Sequence, residues 1–311
     1  CWKWYVMSGL AKRLIVDNNV DAEFLAELWD ISSSCGHDED LNMHKHYKKP
    51  DSGALAGHGT SDNDMEVKVD MQTNPRSLET NSQNEIIFTL KDSDGKPLDL
   101  EISHERILHT IIISEDFSTF AHIHPEDLGA ITDEMKKEAK YPVRFTFPKA
   151  GKYLIAIDFS SGGNDLSKQF FVNVKGEPAM NEFIPDFTKE IDIDSYHIEL
   201  NTEPENIIAG KEIKLIYNVK KNGELVKDLM TYLGAPMHVA VVSSDLKHFV
   251  HTHGEVPGEE MIGHGEHMML NNFGPELEAH LKFPEKGIYN IFGEMNHNGN
   301  RILSHFSVDV K

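Results

Sequence analysis

From residue 65 onward, hydrophobic and polar residues alternate in short runs that predict β-strands. One run covers residues 66–71 and is followed by a second at 86–90, and the same succession returns at 196–200 and 213–217. Alternation with a period of two puts every second side chain on the same face of a strand. Each pair of runs ends in a glycine-containing turn, which is typical of a connection between antiparallel strands.

These alternating runs belong to a sequence repeat that occurs twice. The motif Phe-Pro-x-x-Gly-x-Tyr at 147–153 returns at 283–289, and each copy leads to a last alternating strand, 170–174 or 306–310. Many short strands separated by turns are the signature of a β-sandwich of immunoglobulin type. We therefore predict an all-β protein with two tandem immunoglobulin-like domains.

The predicted domain boundaries follow from where the strand pattern stops. Residues 65–176 form the first sandwich, residues 194–311 the second, and the proline-containing segment 177–193 the linker. Residues 1–64 lack the pattern, because apolar side chains at helical spacing are followed there by a polar tract rich in Gly, Ser, Asp and His. We expect this N-terminal extension to be partly helical and partly disordered.

Charge and cysteine content narrow the functional classes. The 51 Asp and Glu residues exceed the 30 Lys and Arg residues, which gives a formal net charge of -21. Nucleic acid is excluded as a partner, because neutralising its phosphates needs a basic face. Both cysteines, Cys1 and Cys35, precede the repeats, so neither domain offers a thiolate. Either cysteine is a candidate site of lipid attachment in an extracytoplasmic protein, located in the periplasm or at the cell surface. Such a lipid anchor is the contact with a membrane that we expect.

Three histidines recur at the same spacing in both repeats. Intervals of 13 and then 2 residues separate them: His109, His122 and His124 in the first copy, His238, His251 and His253 in the second. Imidazole is the commonest protein ligand for transition metals. A repeated set of three imidazoles therefore indicates a duplicated metal site.

A hairpin register places these rings together. If residues 115–118 form the loop, His109 lies opposite His124, and His122 shares their face because side chains two apart in a strand point the same way. The same register opposes the first and last histidines of the second copy. Opposed Cβ atoms are about 4.5–5.5 Å apart, so three rings reach one ion at about 2.0–2.1 Å. A slip of one residue would break the cluster.

The second repeat adds further candidate ligands. Met295 aligns with Phe159 of the first copy, and His264 and His267 lie in an insert peculiar to the second copy. Thioether and imidazole together favour copper, Cu(I) above all, whereas imidazole alone also serves zinc. We therefore predict copper, with zinc as the alternative, bound by the six histidines with help from these three residues.

Both repeats carry the pattern His…Ser-x-Asp-(Phe/Leu)-x-x-Phe-x-His-x-His followed by Phe-Pro-x-x-Gly-x-Tyr. This pattern resembles secreted bacterial proteins of the YtkA-like and CopC-like kind, over residues 65–176 and 194–311. The resemblance implies cupredoxin-like or CopC-like sandwiches outside the cytoplasm, associated with copper handling. A CopC-type site also uses the mature N-terminal amine, and neither repeat begins with a histidine in that manner. The resemblance thus implies the fold more than the metal geometry.

Three functions fit these observations, and we expect the first. It is a non-catalytic copper-binding protein, for chaperoning or resistance, with a copper transporter or cuproprotein as partner. The second is a mononuclear copper or zinc enzyme at the same site, because three histidines leave one coordination position open. Multicopper oxidases are disfavoured, since they need a cysteine ligand that these domains lack. The third is a structural or adhesive module whose histidines only pack.

Overall fold

The computed structural model describes residues 67–258 and 271–311, which form two β-sandwiches in tandem. The strands of the first sandwich are β1 (Lys68–Asn74), β2 (Gln83–Lys91), β3 (His109–Ser114), β4 (Phe120–Ile123), β5 (Lys140–Thr146), β6 (Gly151–Ser161) and β7 (Asn164–Val174). One sheet has the order β1-β2-β5 and the other the order β4-β3-β6-β7, and all neighbours are antiparallel. This two-sheet arrangement confirms the predicted immunoglobulin-like fold.

The second sandwich repeats this plan with additional short strands. Its strands are β8 (Glu190–Ile193), β9 (Tyr196–Glu203), β10 (Glu212–Lys221), β11 (Glu224–Leu225), β12 (Leu229–Met230), β13 (Met237–Ser243), β14 (Phe249–Gly254), β15 (Asn271–Phe273), β16 (Glu276–Lys282), β17 (Gly287–His297) and β18 (Asn300–Val310). One sheet has the order β8-β9-β10-β16, with β11 also paired to β10. The other has the order β14-β13-β17-β18, and β12 and β15 extend it beside β17.

Two short segments differ from the simple repeat. Between β4 and β5 the chain forms a 3₁₀ turn, Pro125–Leu128, and the helix α1, Asp133–Glu138. The last residues of the predicted linker form β8, which pairs with β9. Ile191 and Ile193 alternate there with acidic residues and pack against the core of the second sandwich. The second domain therefore begins at residue 190, four residues before the predicted boundary.

Each sandwich has its own hydrophobic core, and the repeated Phe-Pro motif builds the same corner in both. Phe147 packs edge-on against Tyr153 with ring centroids 4.8 Å apart, and Phe283 packs on Tyr289 at 4.9 Å. Each tyrosine hydroxyl donates to the main-chain carbonyl four residues earlier, at 2.9 and 3.0 Å. A tyrosine tied to upstream backbone in this way is a hallmark of immunoglobulin-like sandwiches.

A third apolar cluster lies between the two sandwiches. Its members are Ile111, Ile113, Phe117, Leu154, Ala156, Ala240, Val242, Leu246, Phe249 and Phe292. Phe120 of the first sandwich stacks on Phe292 of the second, with ring centroids 4.6 Å apart. On β3, Ile112 points into the core of the first sandwich while Ile111 and Ile113 point to the other sandwich. The histidine-bearing sheets are therefore buried on both faces and pack against each other.

Several predictions concern residues outside the described ranges. These are the extension 1–64 with Cys1 and Cys35, and the candidate ligands His264 and His267. Among the residues that the structure describes, no helix has the length and apolar character needed to span a membrane.

Candidate metal centre

The histidine hairpins adopt the predicted register. In the first sandwich, β3 pairs with β4 so that Ile111 lies opposite His122. In the second, β13 pairs with β14 and places His238 directly opposite His253. Because side chains alternate along a strand, the three rings of each copy share one face of their sheet, the face that packs on the other sandwich.

The first triad consists of His109, His122 and His124, and its ring nitrogens converge. Nδ1 of His109 lies 3.0 Å from Nε2 of His122, and Nε2 of His124 lies 3.2 and 3.0 Å from these two atoms. All three residues are buried, with 3%, 7% and 2% of their surface exposed. Nitrogens that bind one tetrahedral ion at about 2.0–2.1 Å lie roughly 3.3 Å apart. The observed triangle is close to that size.

Hydrogen bonds on the outer side of two rings determine which nitrogens carry protons. Nε2 of His109 lies 3.1 Å from the carbonyl oxygen of Ser103, and Nδ1 of His122 lies 2.7 Å from Oε2 of Glu294. Glu294 also accepts from Nε of Arg301 at 2.6 Å. Carbonyl and carboxylate oxygens only accept, so these ring nitrogens donate and the opposite nitrogens carry lone pairs. In the neutral form of both rings, the 3.0 Å contact inside the triad therefore joins two acceptor nitrogens.

The second triad, His238, His251 and His253, repeats this arrangement. Nε2 of His238 donates to the carbonyl oxygen of Tyr232 at 2.9 Å, and Nδ1 of His251 donates to Oδ2 of Asp158 at 2.8 Å. Nδ1 of His238 and Nε2 of His251 then face each other at 3.4 Å. Nε2 of His253 is buried and has no hydrogen-bond partner among the residues that the structure describes. The ligand nitrogens of this triad lie within 4.8 Å of one another, a spacing that fits one metal ion.

The carboxylates that orient the two middle histidines come from the opposite sandwich. Glu294, on β17 of the second sandwich, binds His122 of the first. Asp158, on β6 of the first, binds His251 of the second. Within its own sandwich, each carboxylate pairs with the first histidine of the triad: Asp158 lies opposite His109, and Glu294 lies opposite His238. A carboxylate bonded to a ligating imidazole fixes its tautomer and raises its basicity, so each sandwich prepares a ligand of the other.

The sequence did not assign an orienting role to these outer partners. The signal available for Asp158 and Glu294 was an acidic residue at the equivalent place of both copies, inside an otherwise apolar strand. The carbonyls of Ser103 and Tyr232 lie in tight turns six residues before the first histidine of each triad. A main-chain partner of this kind leaves no residue-type signal.

Burial and neighbouring rings lower the proton affinity of four of the six imidazoles. Burial, followed by the charges of nearby histidines, holds the pKa of four rings well below the ordinary 6.5: His109, His122, His238 and His253. Burial also raises the pKa of Glu294 above its usual 4.5, against the opposing effect of the neighbouring guanidinium. The contact between His122 and Glu294 is thus a hydrogen bond from a neutral ring. Neutral imidazole is the form that binds metal ions.

The expectation of a thioether ligand at Met295 is corrected by the structure. Its side chain is fully buried in the core of the second sandwich, whereas Glu294 points to the imidazoles, because successive residues of a strand face opposite ways. Met295 therefore supplies no thioether ligand to the imidazole cluster. A further ring does approach it: His104 stacks on His253 with centroids 3.6 Å apart.

Another group of potential ligands lies outside the triads. Glu255, Glu278 and His280 place their ligand atoms within 4.8 Å of one another. His280 lies 3.1 Å from Glu255, and Glu278 lies 2.9 Å from Nζ of Lys214. These partly buried groups bond to one another, which is typical of a surface ion-pair network.

Solved structures resemble the chain only weakly. The FdeC adhesin of Escherichia coli is 9% identical, over 78% of this chain and 64% of that chain, with a TM-score of 0.23. The chain thus spans less than two thirds of the adhesin chain. Red sea bream transglutaminase is 8% identical over 79% and 31%, with a TM-score of 0.24. Domains 4 and 5 of the S-layer protein SbsC are 11% identical over 78% and 97%, with a TM-score of 0.20. Likenesses at this level carry no conclusion about function.

No curated protein matches the sequence significantly. The resemblance to YtkA-like and CopC-like proteins stays a prediction. A family model described as a domain of unknown function, DUF8832, matches residues 60–176 and again residues 190–311. The second match begins where β8 begins, so the two matches coincide with the two sandwiches. The chain therefore belongs to the DUF8832 family and carries two copies of its domain.

Proposed function

We propose that this protein is a non-catalytic metal-binding protein in which each histidine triad holds one transition-metal ion. The observation that carries the proposal is the 3.0 Å contact between Nδ1 of His109 and Nε2 of His122. The outer hydrogen bonds make both atoms acceptors, and a cation bound by the two facing lone pairs would remove their repulsion. The matching contact in the second triad, 3.4 Å between His238 and His251, supports the same conclusion.

A proton shared between the rings is the competing cation. Burial holds the pKa of His109 and His122 well below 6.5, so protonation of these two rings is unfavourable at neutral pH. A metal ion binds the neutral ring through the lone pair that the outer hydrogen bond leaves free. A metal ion is therefore the better occupant.

Copper is the metal we propose, and zinc is the alternative. The donors of the two triads are imidazoles, and Met295 lies in a core, so the argument from that thioether no longer applies. For a given set of nitrogen ligands, divalent metals bind in an order that places copper above nickel and zinc. Three imidazoles satisfy Cu(I) or Cu(II) and leave a position open for a further ligand.

The proposal extends to the place and partners of the protein. The net charge of -21 attracts cations to the surface. Burial of the rings favours retention of the ion over rapid exchange. We propose an extracytoplasmic protein that holds copper for a transporter or cuproprotein.

Titration of the metal-free chain with Cu(I), Cu(II) and Zn(II), in competition with a chelator, tests the proposal. We expect two ions per chain for the wild type and one for His251→Ala/His253→Ala. The matched control is His248→Ala, which changes a half-buried histidine of the same hairpin that bonds outside the triad. This control is expected to retain two ions.

Circular dichroism and thermal melting establish that each variant is folded. Stoichiometric binding that survives replacement of both triads would remove these histidines as ligands. A folded wild type that binds no ion would leave the rings as packing residues of a structural module.

A further inference from the structure

The six imidazoles form one cluster rather than two separate groups. Inside the triads, ring centroids lie 4.5–5.5 Å apart. Between the triads, His122 lies 5.1 Å from His238 and 5.3 Å from His251, and His109 lies 5.6 Å from His251. Ligand nitrogens of His109, His122 and His238 come within 4.8 Å of one another. The spacing across the interface overlaps the spacing inside a triad, so ions in both triads would be close neighbours.

A small cavity lies beside the two triads. It has a volume of about 20 Å³ and is lined by His109 and His251 with their outer hydrogen-bond partners Ser103 and Asp158, by His253, and by residues of β6 and β7 outside the cluster. A cavity needs roughly 10–15 Å³ to hold one water molecule, together with polar partners. The cavity therefore has room for one water molecule next to the cluster, close enough to supply a ligand from solvent.

Buried negative charge also faces the cluster. Asp158 and Glu294 are 9% and 1% exposed, and each accepts a hydrogen bond from an imidazole. A charge taken out of water needs a compensating charge close by. Arg301 supplies one at Glu294, and metal cations in the cluster would compensate the remainder.

We propose that the two triads form a single dinuclear centre, in which two metal ions share one bridging hydroxide. The inference rests on the proposed function. Each set of three nitrogens leaves a coordination position open. A water molecule held by two cations loses one proton to the solvent and becomes the bridging hydroxide. Two-metal sites hold their ions about 3.5–4 Å apart, a separation compatible with the observed ring spacing.

The dinuclear centre depends on both sandwiches, because each one supplies a carboxylate to a histidine of the other. His122 receives its orienting carboxylate from the second sandwich and His251 from the first. Each half of the centre is therefore complete only when both domains are in place.

Electron paramagnetic resonance of the full chain loaded with two equivalents of Cu(II) tests the inference. Hydroxide-bridged Cu(II) ions couple their unpaired electrons and lose the signal that isolated ions give. We expect fewer than one spin per chain in wild-type protein that carries two copper ions. The one-site variants His122→Ala/His124→Ala and His251→Ala/His253→Ala are expected to give one spin per bound copper.

The wild-type measurement needs no variant, so a variant that fails to fold leaves the test intact. Two bound ions with one spin or more per chain would overturn the dinuclear centre and leave metal binding by the triads standing. Binding of only one copper ion per chain would also overturn the dinuclear centre. A folded wild type without stoichiometric copper would overturn both this inference and the proposed function.

Discussion

At the scale of single residues, the centre depends on which nitrogen of each ring carries the proton. His109 and His238 donate through Nε2 to main-chain carbonyls, and His122 and His251 donate through Nδ1 to carboxylates. These four bonds leave the inward nitrogens as acceptors. Substituting an outer partner should therefore change metal affinity without touching a ligand.

Glu294→Gln tests this dependence in a chain whose second triad is removed by His251→Ala/His253→Ala. We expect copper affinity at the first triad to fall by about 10–100-fold, because the amide lacks the charge that raises the basicity of His122. Chelator competition measures the change. Glu278→Gln, whose carboxylate bonds to Lys214 instead of an imidazole, should leave the affinity unchanged. Equal affinities for the two variants would contradict the orienting role.

His305 should make the stability of the chain sensitive to acid. Its ring stacks on Phe292 at the interface, with centroids 4.3 Å apart, and Nε2 donates to Oδ1 of Asn290 at 2.9 Å. Burial lowers its pKa from 6.5 to about 4. The unfolded chain therefore takes up the proton at higher pH than the folded chain. This contribution to stability is complete above about pH 6.5 and is lost as the pH falls towards 4.

Urea unfolding of wild type and His305→Gln between about pH 4 and pH 7 measures this effect. Gln169 stands at the equivalent place of the first sandwich, so the replacement suits the strand. We expect the variant to lose less stability on acidification, by up to about 3 kcal/mol. Identical pH profiles would show that His305 does not carry the acid sensitivity.

At the scale of elements, the hairpins hold the register on which each triad depends. In the first hairpin, Ser114 and Ser118 donate to Oδ1 of Asp116 at 2.6 and 2.7 Å. Lys149 and the amide of Asn181 donate to Oδ2, each at 3.1 Å. One carboxylate thus ties the loop to the segment that leads to the second sandwich. A slip in this hairpin would turn the first histidine away from its partners.

Asp116→Ala is expected to lower the free energy of unfolding by roughly 2–4 kcal/mol, because it removes several charge-assisted hydrogen bonds from a buried carboxylate. The matched variant is Asp245→Ala in the second hairpin. Its side chain is 50% exposed, against 2% for Asp116, so its loss should be smaller. Urea denaturation compares the two, and an equal or larger loss for Asp245→Ala would contradict this account.

At the scale of the whole molecule, the apolar interface and the metal centre occupy the same pair of faces. The cluster around Phe120 and Phe292 brings the two sheets together, and this contact carries Asp158 and Glu294 to the opposite triads. Weakening the interface should therefore weaken metal binding, even though no ligand changes.

Phe292→Ala tests this coupling. We expect a loss of about 3–5 kcal/mol in stability and at least a tenfold loss of copper affinity. The control is Phe88→Ala, which removes a buried ring from the core of the first sandwich alone. It should destabilise the fold to a similar degree while the folded protein keeps its affinity. Calorimetry and chelator competition measure both quantities, and unchanged copper binding by folded Phe292→Ala would exclude the coupling.

The sequence by itself determined the all-β fold, its duplication and the hairpin register. These follow from local rules: alternation with a period of two, the repeated Phe-Pro motif, and the 13- and 2-residue spacing of the histidines. Each of these rules acts within a hairpin or a single sandwich. The prediction that His238 lies opposite His253 is confirmed for the same reason.

Only the tertiary structure decided that the two triads meet, that each receives a carboxylate from the other sandwich, and that Met295 points into a core. Strands β3 and β17 are buried on both faces. Their sequences therefore do not show which side chains face the core of their own sandwich and which face the other sandwich. Contacts such as Glu294 with His122 join residues far apart in the chain. Their partners are set by the packing of one sheet on another, which a local pattern does not encode.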